Sequence, residues 1–388
     1  MLGRLIPKSS DIWVFGAWEG KKYSDNSRYI FEYVLTNCPE IRAFWISDDD
    51  ACFESLFNDT LPVLRKFSLK GIYYCLRANL VICSNGLSDV NEFCAAGSRK
   101  IMLWHGIPMK KIESDIISIS HSRAVDFKRL FSRLLFKNRY LFPYLYPSWD
   151  LVLSTSVIIQ DRMSSAFQVL HENVPILGYP RNDVLLSGNY VAINELISPC
   201  PRDAKFILYA PTFRETLTDN DALFNDFPLN KFCAFLENNN CYLFIKLHPI
   251  LRNSDHQISH MDSKYIVFLD SAIYEDLNSI LPNFDLMLTD YSGAYFDFLL
   301  LDRPMIFTPF DLESYEKVER GLYENYLDSV PGPICRNWDE VISALNDFFS
   351  GVDNYTEQRH FCKLRYHDHI DADSSKRVVK YLVSYDLN

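Results

Sequence analysis

Short apolar segments alternate with helix-like segments along nearly the whole chain. Apolar segments bounded by turn residues are typical of strands that are buried on both faces of a sheet. The predicted strands of the first half are 12–15, 43–47, 61–65, 80–84, 100–104 and 150–154, and those of the second half are 206–210, 242–246, 265–269, 284–288 and 305–307. Strands that alternate with helices in this way predict parallel sheets and an α/β fold.

The alternation pauses near residue 178 and then begins again, which predicts two domains. A length of 388 residues agrees with two or three domains of about 150 residues each. We expect a first Rossmann-like domain over 1–178, a second over 179–366, and a C-terminal helical segment over 367–388 that packs back on the first. The two Rossmann-like domains are expected to face a central cleft.

The segment from about 107 to 149 differs from the rest of the chain in charge. Between Arg99 and Arg139 it carries ten Lys or Arg against three Asp or Glu, within a chain whose net charge is −11. This pattern predicts a basic amphipathic helical insertion that suits an anionic membrane surface. The alternative is a helix packed on its own core with a solvated basic face. The predicted membrane-contacting residues are Lys128, Arg129, Phe131, Arg133, Leu134 and Lys137.

The overall composition argues against several classes of protein. A net charge of −11 makes general nucleic-acid binding a poor interpretation, so no nucleic-acid partner is predicted. The ten cysteines include no CxxC pair, which predicts reduced thiols in an intracellular protein. The first residues lack a continuous apolar region, and no run of about 18 apolar residues occurs. Neither a signal peptide nor a transmembrane helix is therefore predicted.

Three loops of the second half carry polar residues directly after predicted strands. Because ligands of open α/β sheets bind at the carboxyl ends of strands, we expect these residues to surround an anion such as pyrophosphate. The turn before a helix adds unpaired N–H groups that favour negative charge. The alternatives are a surface ion pair, a solvated strand end and a hydrogen-bonded core histidine. The residues are Arg214, Lys246, His248, Asp290, Ser292 and Gly293.

His105 occupies the same kind of position in the first half, because it follows the predicted strand 100–104 and precedes Gly106. Histidine is the usual general base for removing a proton from a hydroxyl group. The alternative is a structural imidazole under a tight turn. The cluster His367-Asp368-His369 is poorly arranged for one tetrahedral site, so no metal ligand is predicted.

A set of motifs runs through nearly the whole chain: GKKYSDNSRYIFEYV (20–34), LWHGIPMKKI (103–112), GYPRND (178–183), YAPTFRE (209–215), KLHP (246–249), LTDYSGAYFDFLLLDRPMIFTPFDLESYEKVERGLYENY (288–326), PGPI (331–334) and HDHIDADSSKR (367–377). In sequence and order they resemble the CDP-glycerol glycerophosphotransferases of teichoic acid and capsule biosynthesis. The resemblance implies a GT-B fold and transfer of a polyol phosphate from a CDP-polyol to a hydroxyl of a lipid-linked saccharide or growing polymer, with release of CMP. It also implies a peripheral protein on the cytoplasmic face of the bacterial membrane. No cofactor is predicted, and a divalent metal is not expected to be required.

The resemblance also implies roles for individual residues. His105 and His248 resemble the catalytic residues, and the candidates at the polyol or acceptor are Asp297, Asn182 and Asp183. The phosphate turn departs from the family pattern at Gly293, where a second serine is common, which leaves one hydroxyl fewer. The residues that resemble donor-diphosphate contacts are Arg214, Lys246, Asp290, Ser292, Gly293 and Arg320.

Several alternatives stay open at the level of sequence. The donor is CDP-glycerol or CDP-ribitol, and single addition and polymerisation are both compatible with the motifs. A GT-B glycosyltransferase would use the same cleft with a nucleotide sugar. A membrane-docked nucleotide-binding protein without turnover is the alternative from another class.

Overall fold

The structure is a computed structural model that describes residues 2–118, 148–197, 199–212, 226–247, 263–270, 273–313, 315 and 321–386. The chain forms two compact units. Unit 1 contains Met1–Gly106, Ile112–Asp183 and Tyr366–Asn388, and unit 2 contains Ile107–Lys111 and Val184–Arg365. The domain boundary was predicted after residue 178, and the assignment of the short segment Ile107–Lys111 to unit 2 was not predicted.

Among the described residues, unit 1 has a sheet of six parallel strands. The strand order is β3-β2-β1-β4-β5-β6, so the direction in which strands are added reverses between β1 and β4. This is the order of a Rossmann fold, in which ligands bind at the carboxyl ends of the strands beside the reversal. The strands are β1 (Ser9–Gly16), β2 (Arg42–Ser47), β3 (Val63–Arg65), β4 (Ala78–Cys83), β5 (Arg99–Met102) and β6 (Leu151–Val152).

Aromatic packing and side-chain caps explain the helices of unit 1. Phe31 packs against Phe15 of β1 and Trp45 of β2, with ring centroids 5.3 and 5.6 Å apart, which fixes its helix on the sheet. The side chains of Asp49 and Ser68 accept hydrogen bonds from the first turns of the helices that follow them, as N-caps do. The described helices of unit 1 are Asp25–Asn37, Asp50–Asn58, Leu69–Arg77, Val157–Phe167 and Ser374–Asp386.

The described part of unit 2 has a sheet of five parallel strands. Their order is β11-β10-β7-β8-β9, so the reversal lies between β7 and β10. The α/β class with parallel sheets that the apolar pattern predicted is confirmed. The strands are β7 (Lys205–Ala210), β8 (Cys241–Ile245), β9 (Ile266–Phe268), β10 (Leu286–Thr289) and β11 (Met305–Phe307).

Trp338 is the centre of an aromatic cluster in the core of unit 2. Its ring lies 5.6 Å from Tyr209 of β7, 4.8 Å from Phe227 and 5.9 Å from Phe232.

None of the helices in the described ranges of the chain has the length and apolar composition needed to cross a bilayer. The described helices from the end of unit 1 onward are Asp183–Ser187, Asn194–Ile197, Leu229–Asn238, Ala294–Phe298, Tyr326–Ser329, Trp338–Phe349 and Thr356–Tyr366.

Residues 274–281 have a helix-like apolar period but do not form a helix. They form turns that lead into the 3₁₀ turn Leu281–Asn283. The side chain of Asp276 accepts a hydrogen bond from the backbone N–H of Asn278 (3.1 Å), and the Ser279 hydroxyl donates to the Asp276 carbonyl (2.7 Å). Such local bonds compete with the helical pattern.

Candidate functional site

The carboxyl ends of β1, β4 and β5 bring three loops together in unit 1. β1 and β4 are the strands at which the order reverses, and β5 is the neighbour of β4. Trp18 follows β1, Ser84 follows β4 and His105 follows β5. His105 therefore lies beside the position where open α/β sheets bind their ligands.

The imidazole of His105 is half-buried beside two indole rings. Its ring centroid lies 4.1 Å from that of Trp104 and 5.8 Å from that of Trp18. Nδ1 lies 3.2 Å from Nδ2 of Asn85 and 3.3 Å from the carbonyl oxygen of Ser84. Within the described ranges, both hydrogen-bond contacts of the ring are made by Nδ1 and none by Nε2.

A closed chain of hydrogen bonds surrounds His105. Nη1 of Arg181 donates to the carbonyl oxygen of His105 (2.6 Å) and to the carboxylate of Asp25 (3.0 Å). The other carboxylate oxygen of Asp25 accepts from the indole N–H of Trp18. The backbone N–H of Trp18 donates to Oδ1 of Asn85 (3.0 Å), and Asn85 returns the chain to the imidazole. The ring nitrogen and the backbone of His105 are thus held from two sides.

Asn26 joins the GYPRND motif to the end of β5. Its Nδ2 donates to the carbonyl oxygens of Leu103 (3.2 Å) and Trp104 (2.8 Å), and its Oδ1 accepts from the backbone N–H of Arg181 (3.0 Å). Gly106 has a φ of +137°, and a Cβ there would lie 2.5 Å from Nη2 of Arg181. The glycine after His105 therefore lets the guanidinium approach the backbone.

The loops around His105 contain strained backbone. Trp18, Glu19, Asp25 and Trp104 have φ values of 49°, 60°, 60° and 59°. A non-glycine residue in this left-handed region costs of order 1–3 kcal/mol, and such residues concentrate at functional sites. The hydrogen bonds of Asn26, Asp25 and Arg181 offset this cost. The strain is thus tied to the placement of His105.

Asp89 holds the loops after β1 and β4 in place. One carboxylate oxygen accepts from the backbone N–H of Glu19 (2.9 Å). The other accepts from the backbone N–H groups of Ser84 (3.0 Å), Asn85 (2.7 Å) and Gly86 (3.2 Å). Burial raises the pKa of Asp89 to about 6, while these N–H donors act in the opposite direction. Both oxygens are committed to the backbone, so Asp89 is a structural support for the site.

Burial lowers the pKa of His105 from its ordinary value of 6.5. The carboxylate of Asp25 and the carbonyl of Ser84 oppose this shift, and the guanidinium of Arg181 adds to it. A lowered pKa keeps the imidazole neutral at neutral pH. The neutral form is the one that a general base requires.

Asn182 and Asp183 belong to the scaffold of unit 1. Asn182 is buried in the 3₁₀ turn Pro180–Asn182. The two carboxylate oxygens of Asp183 each accept a backbone N–H at 2.8 Å, from Ser374 and Ser375. Asp183 thereby caps the C-terminal helix. The roles of Asn182 and Asp183 at a polyol or acceptor stay predictions.

The tail motif packs on the loop that begins the GYPRND motif. Gly178 has a φ of +81°, and a Cβ there would lie 2.6 Å from the hydroxyl oxygen of Ser374. Nε of Arg377 donates to the carbonyl oxygen of Leu177 (3.1 Å), and its Nη1 lies 2.8 Å from both carboxylate oxygens of Asp371. Two of the motifs that carry the resemblance therefore support each other in unit 1.

In unit 2, Asp290 ties the turn after β10 to the end of β7. One of its carboxylate oxygens accepts from the backbone N–H groups of Thr212 (2.8 Å) and Tyr291 (2.6 Å). Its carbonyl oxygen accepts from the hydroxyl of Tyr326 (3.0 Å). β7 and β10 are the strands at which the order of this sheet reverses. Asp290 therefore fixes the turn at the equivalent position of the second sheet.

The turn residues Ser292 and Gly293 are placed by two different contacts. The hydroxyl oxygen of Ser292 accepts from the backbone N–H of Ala294 (3.2 Å), the first residue of the short helix Ala294–Phe298. A Cβ on Gly293 would lie 2.9 Å from the carbonyl oxygen of Ile107. A side chain at 293 would therefore collide with backbone of unit 2. This contact explains the glycine at the position where a second serine is common.

Lys246 and Asp297 differ in their exposure to solvent. Lys246 follows β8 and is half-buried, with its Nζ donating to the carbonyl oxygen of Tyr274 (2.5 Å). Asp297 is fully buried in its helix. Their predicted contacts, with a diphosphate and with polyol hydroxyls, stay predictions.

Several predicted site residues lie outside the described residues. In unit 2 these are Arg214, His248 and Arg320, and their roles stay predictions. Among the residues that the structure describes, no group of three or more His, Cys, Asp or Glu side chains could hold a metal ion. The predicted membrane-contacting residues Lys128, Arg129, Phe131, Arg133, Leu134 and Lys137 are also outside the described ranges.

Asn85, Asp89 and Arg181 are among the site residues of unit 1 that the sequence did not predict. Asn85 and Asp89 follow the predicted strand 80–84, as His105 follows its own strand, so their position was a usable signal. Arg181 offered no such signal, because Asp25 and His105 lie far from it along the chain.

Two α/β units with Rossmann strand order, each with polar loops at its strand reversal, define the class as GT-B-like. The fold resembles that of the wall teichoic acid polymerase TagF, with a TM-score of 0.71 and 24% sequence identity over 98% of this chain and 90% of that chain. The family model for CDP-glycerol:poly(glycerophosphate) glycerophosphotransferase matches residues 1–384. The chain belongs to that family. The prediction of a polyol-phosphate transferase is confirmed at the level of the family.

Curated relatives match different shares of their own length. The teichoic acid poly(glycerol phosphate) polymerase of Bacillus spizizenii is 28% identical over 98% of this chain and 93% of its own. That of Bacillus subtilis is 28% identical over 90% of this chain and 45% of its own, so the chain spans less than half of this relative. The teichoic acid poly(ribitol-phosphate) polymerase of Bacillus spizizenii is 31% identical over 60% of this chain and 37% of its own.

Proposed function

We propose that the protein transfers glycerol phosphate from CDP-glycerol to a hydroxyl group of a lipid-linked saccharide or a growing teichoic-acid-like polymer, and that it releases CMP. The observation that carries this proposal is His105, a half-buried imidazole with a lowered pKa at the strand reversal of unit 1. Its Nδ1 is engaged by Asn85 and Ser84, which directs Nε2 to the reaction. Membership of the family supplies the class of reaction.

The lengths of the alignments favour glycerol over ribitol. The poly(glycerol phosphate) polymerase of Bacillus spizizenii aligns with 98% of the chain, whereas the poly(ribitol-phosphate) polymerase of the same organism aligns with 60%. Their identities, 28% and 31%, are similar. CDP-glycerol is therefore the proposed donor, and CDP-ribitol is the competing one.

The proposed chemical step is a displacement at the phosphorus that carries glycerol. Nε2 of His105 accepts the proton of the acceptor hydroxyl while the hydroxyl oxygen attacks that phosphorus. The bond between this phosphorus and the bridging oxygen breaks, and CMP leaves with the electron pair. The product is a new phosphodiester, and the imidazolium then returns its proton to solvent. A general base of this kind contributes roughly 10²–10⁴-fold in rate.

Unit 2 is proposed to hold the donor diphosphate. The cationic side chains of Lys246, Arg214 and Arg320, together with His248, would offset the charge that develops on the leaving CMP. Asp290 would act through the backbone, because a carboxylate repels a phosphate while its bonds to Thr212 and Tyr291 hold the turn. Ser292 is the hydroxyl that this turn offers to the diphosphate.

We further propose a peripheral position on the cytoplasmic face of the membrane, where a lipid-linked acceptor is available. The support is the excess of ten Lys or Arg over three Asp or Glu between Arg99 and Arg139. Replacing Lys128, Arg129, Arg133 and Lys137 together by Gln should weaken sedimentation with anionic liposomes, because about 1 kcal/mol per cation is lost at such a surface. Four Lys→Gln changes at the exposed Lys70, Lys231, Lys264 and Lys376 are the matched control. Unchanged binding of the first variant would reject the proposal.

The activity is tested by incubating the protein with CDP-glycerol, CDP-ribitol or a nucleotide sugar and an acceptor, and by measuring CMP and product mass. His105→Ala should bind CDP-glycerol but release CMP about 10²–10⁴-fold more slowly. His171→Ala is the control, because His171 is exposed in a 3₁₀ turn of the same unit. Transfer at the wild-type rate by His105→Ala would reject the base, and a glycosidic product with release of a nucleoside diphosphate would favour the glycosyltransferase.

A further inference from the structure

Nδ1 of His105 faces two groups of opposite hydrogen-bonding character. The carbonyl oxygen of Ser84, at 3.3 Å, can only accept a hydrogen bond. Nδ2 of Asn85, at 3.2 Å, can only donate one. The backbone N–H of Trp18 donates to Oδ1 of Asn85 at 3.0 Å, and this bond fixes the orientation of the Asn85 amide. Oδ1 must therefore point to Trp18, and Nδ2 to the imidazole.

This arrangement treats the two charge states of His105 differently. A neutral imidazole can carry its proton on Nδ1 and donate to Ser84, or carry it on Nε2 and accept from Asn85. Only the form with its proton on Nδ1 leaves Nε2 able to accept another proton. An imidazolium has a proton on both nitrogens, so its Nδ1–H can donate to Ser84 but also lies against the N–H of Asn85. The positive end of the amide dipole then lies against a positive ring. Asn85 therefore disfavours the charged form, which acts in the same direction as burial.

Two neutral dipoles contact Nδ1 directly: the carbonyl of Ser84 favours the imidazolium, and the amide of Asn85 disfavours it. Asp25, on the helix after β1, favours the imidazolium, and Arg181, on the turn before Asp183, disfavours it. These two groups pair with each other at 3.0 Å, so their effects on the ring partly cancel. The carboxylate of Asp89 binds the backbone of residues 84–86 and reaches the ring through them. Nζ of Lys22 lies 5.2 Å from the indole of Trp18.

We propose that Asn85 is a positioning residue that anchors the imidazole of His105 and disfavours its charged form, while the carbonyl of Ser84 holds the proton of the neutral ring on Nδ1 and leaves Nε2 to accept the proton of the acceptor hydroxyl. The inference rests on the proposed function of His105 as the general base. Asn85 acts through His105 and touches no substrate. Triads that place a carboxylate against Nδ1 stabilise the imidazolium. The amide of Asn85 does the reverse.

Asn85→Asp tests the proposal with a nearly isosteric side chain. One carboxylate oxygen can still accept from the backbone N–H of Trp18, and the other can accept from the Nδ1–H of an imidazolium. The pKa of His105 should rise by roughly 1–3 units, as it does when an opposite charge contacts a titrating group. The His105 resonance, assigned by its loss in His105→Gln, is titrated by NMR, and kcat/KM is measured against pH. Because the base must be neutral, the acidic limb of kcat/KM should move to higher pH by the same amount.

Two further variants serve as a charge control and as a variant without added charge. Asn58→Asp adds the same charge at the exposed end of a helix in unit 1 and should move neither the titration nor the acidic limb. Asn85→Ala removes the donor without adding charge and should raise the pKa of His105 by a smaller amount. It also serves if Asn85→Asp does not fold.

The outcomes separate this inference from the function on which it rests. An unchanged titration of His105 in both Asn85 variants would overturn the role of Asn85. A titration that moves upward while the acidic limb of kcat/KM stays in place would support the role of Asn85 and reject His105 as the general base. Movement of both by the same amount supports both.

Discussion

In both units, polar loops follow the two strands between which the strand order reverses. The two units stabilise these loops differently. In unit 1, Asp89 uses both carboxylate oxygens, one for the loop after β1 and the other for the loop after β4. In unit 2, one carboxylate oxygen of Asp290 accepts from backbone N–H groups at the ends of both β7 and β10. The same position in the fold is thus supported by four N–H donors shared between two carboxylate oxygens in unit 1, and by one oxygen that accepts from both strand ends in unit 2.

The distribution of backbone strain follows the same division. Trp18, Glu19, Asp25 and Trp104 of unit 1 have positive φ values. The described turn Asp290–Gly293 of unit 2 has none, and Gly293 itself has a φ of −64°. The proposed base His105 must be held in one orientation, which explains the strained backbone and the many hydrogen bonds around it. The turn proposed to offer a hydroxyl and backbone N–H groups to a diphosphate can be built from ordinary backbone.

The largest expected effect comes from replacing Asp89 or Asp290, the aspartates that hold these loops, by asparagine. Asp89→Asn leaves an NH₂ group facing a backbone N–H, weakens the remaining bonds, and should destabilise unit 1 by about 3 kcal/mol. In Asp290→Asn one amide oxygen can still accept from both Thr212 and Tyr291, so protection at Tyr291 should fall less than protection at Asn85 falls in Asp89→Asn. Hydrogen exchange at the amides of Asn85 and Tyr291 reports on each loop separately.

Each of these variants serves as the control of the other, because both replace a buried aspartate by asparagine. Equal loss of protection at the two loops would contradict the comparison. So would a larger loss at Tyr291 in Asp290→Asn than at Asn85 in Asp89→Asn.

The apolar pattern predicted the scaffold well because strands that are buried on both faces reveal themselves locally. It placed His105 and Asp290 at strand ends for the same reason. The apolar pattern could not predict contacts between distant residues. The bonds of Arg181 to Asp25 and His105, for example, depend on how separate loops meet. A positive φ at Trp18 leaves no mark on the sequence, because tryptophan is not a residue that favours this region.

A smaller effect is expected from filling the space at Gly293. In Gly293→Ala the new Cβ would lie 2.9 Å from the carbonyl oxygen of Ile107. The segment that contains Ile107 cannot withdraw freely, because the N–H of Lys111 donates to Gly321 (2.9 Å) and the N–H of Tyr323 donates to Met109 (3.0 Å). We expect a loss of about 1–2 kcal/mol in the stability of unit 2 and weaker binding of CDP-glycerol, since small overpacked groups cost this much.

Thermal unfolding and titration with CDP-glycerol measure both effects of Gly293→Ala. Gly86→Ala is the matched control, because Gly86 has extended backbone and the nearest atom to its Cβ position lies 3.6 Å away. Since the turn of unit 2 has unstrained backbone, Gly293→Ala should lower the stability of its unit less than Asp89→Asn does. It should also lower the affinity for CDP-glycerol without shifting the acidic limb of kcat/KM. An acidic limb that moves in Gly293→Ala would mean that this turn also sets the charge state of His105. The proposed separation of roles, with the base in unit 1 and diphosphate binding in unit 2, would then be wrong.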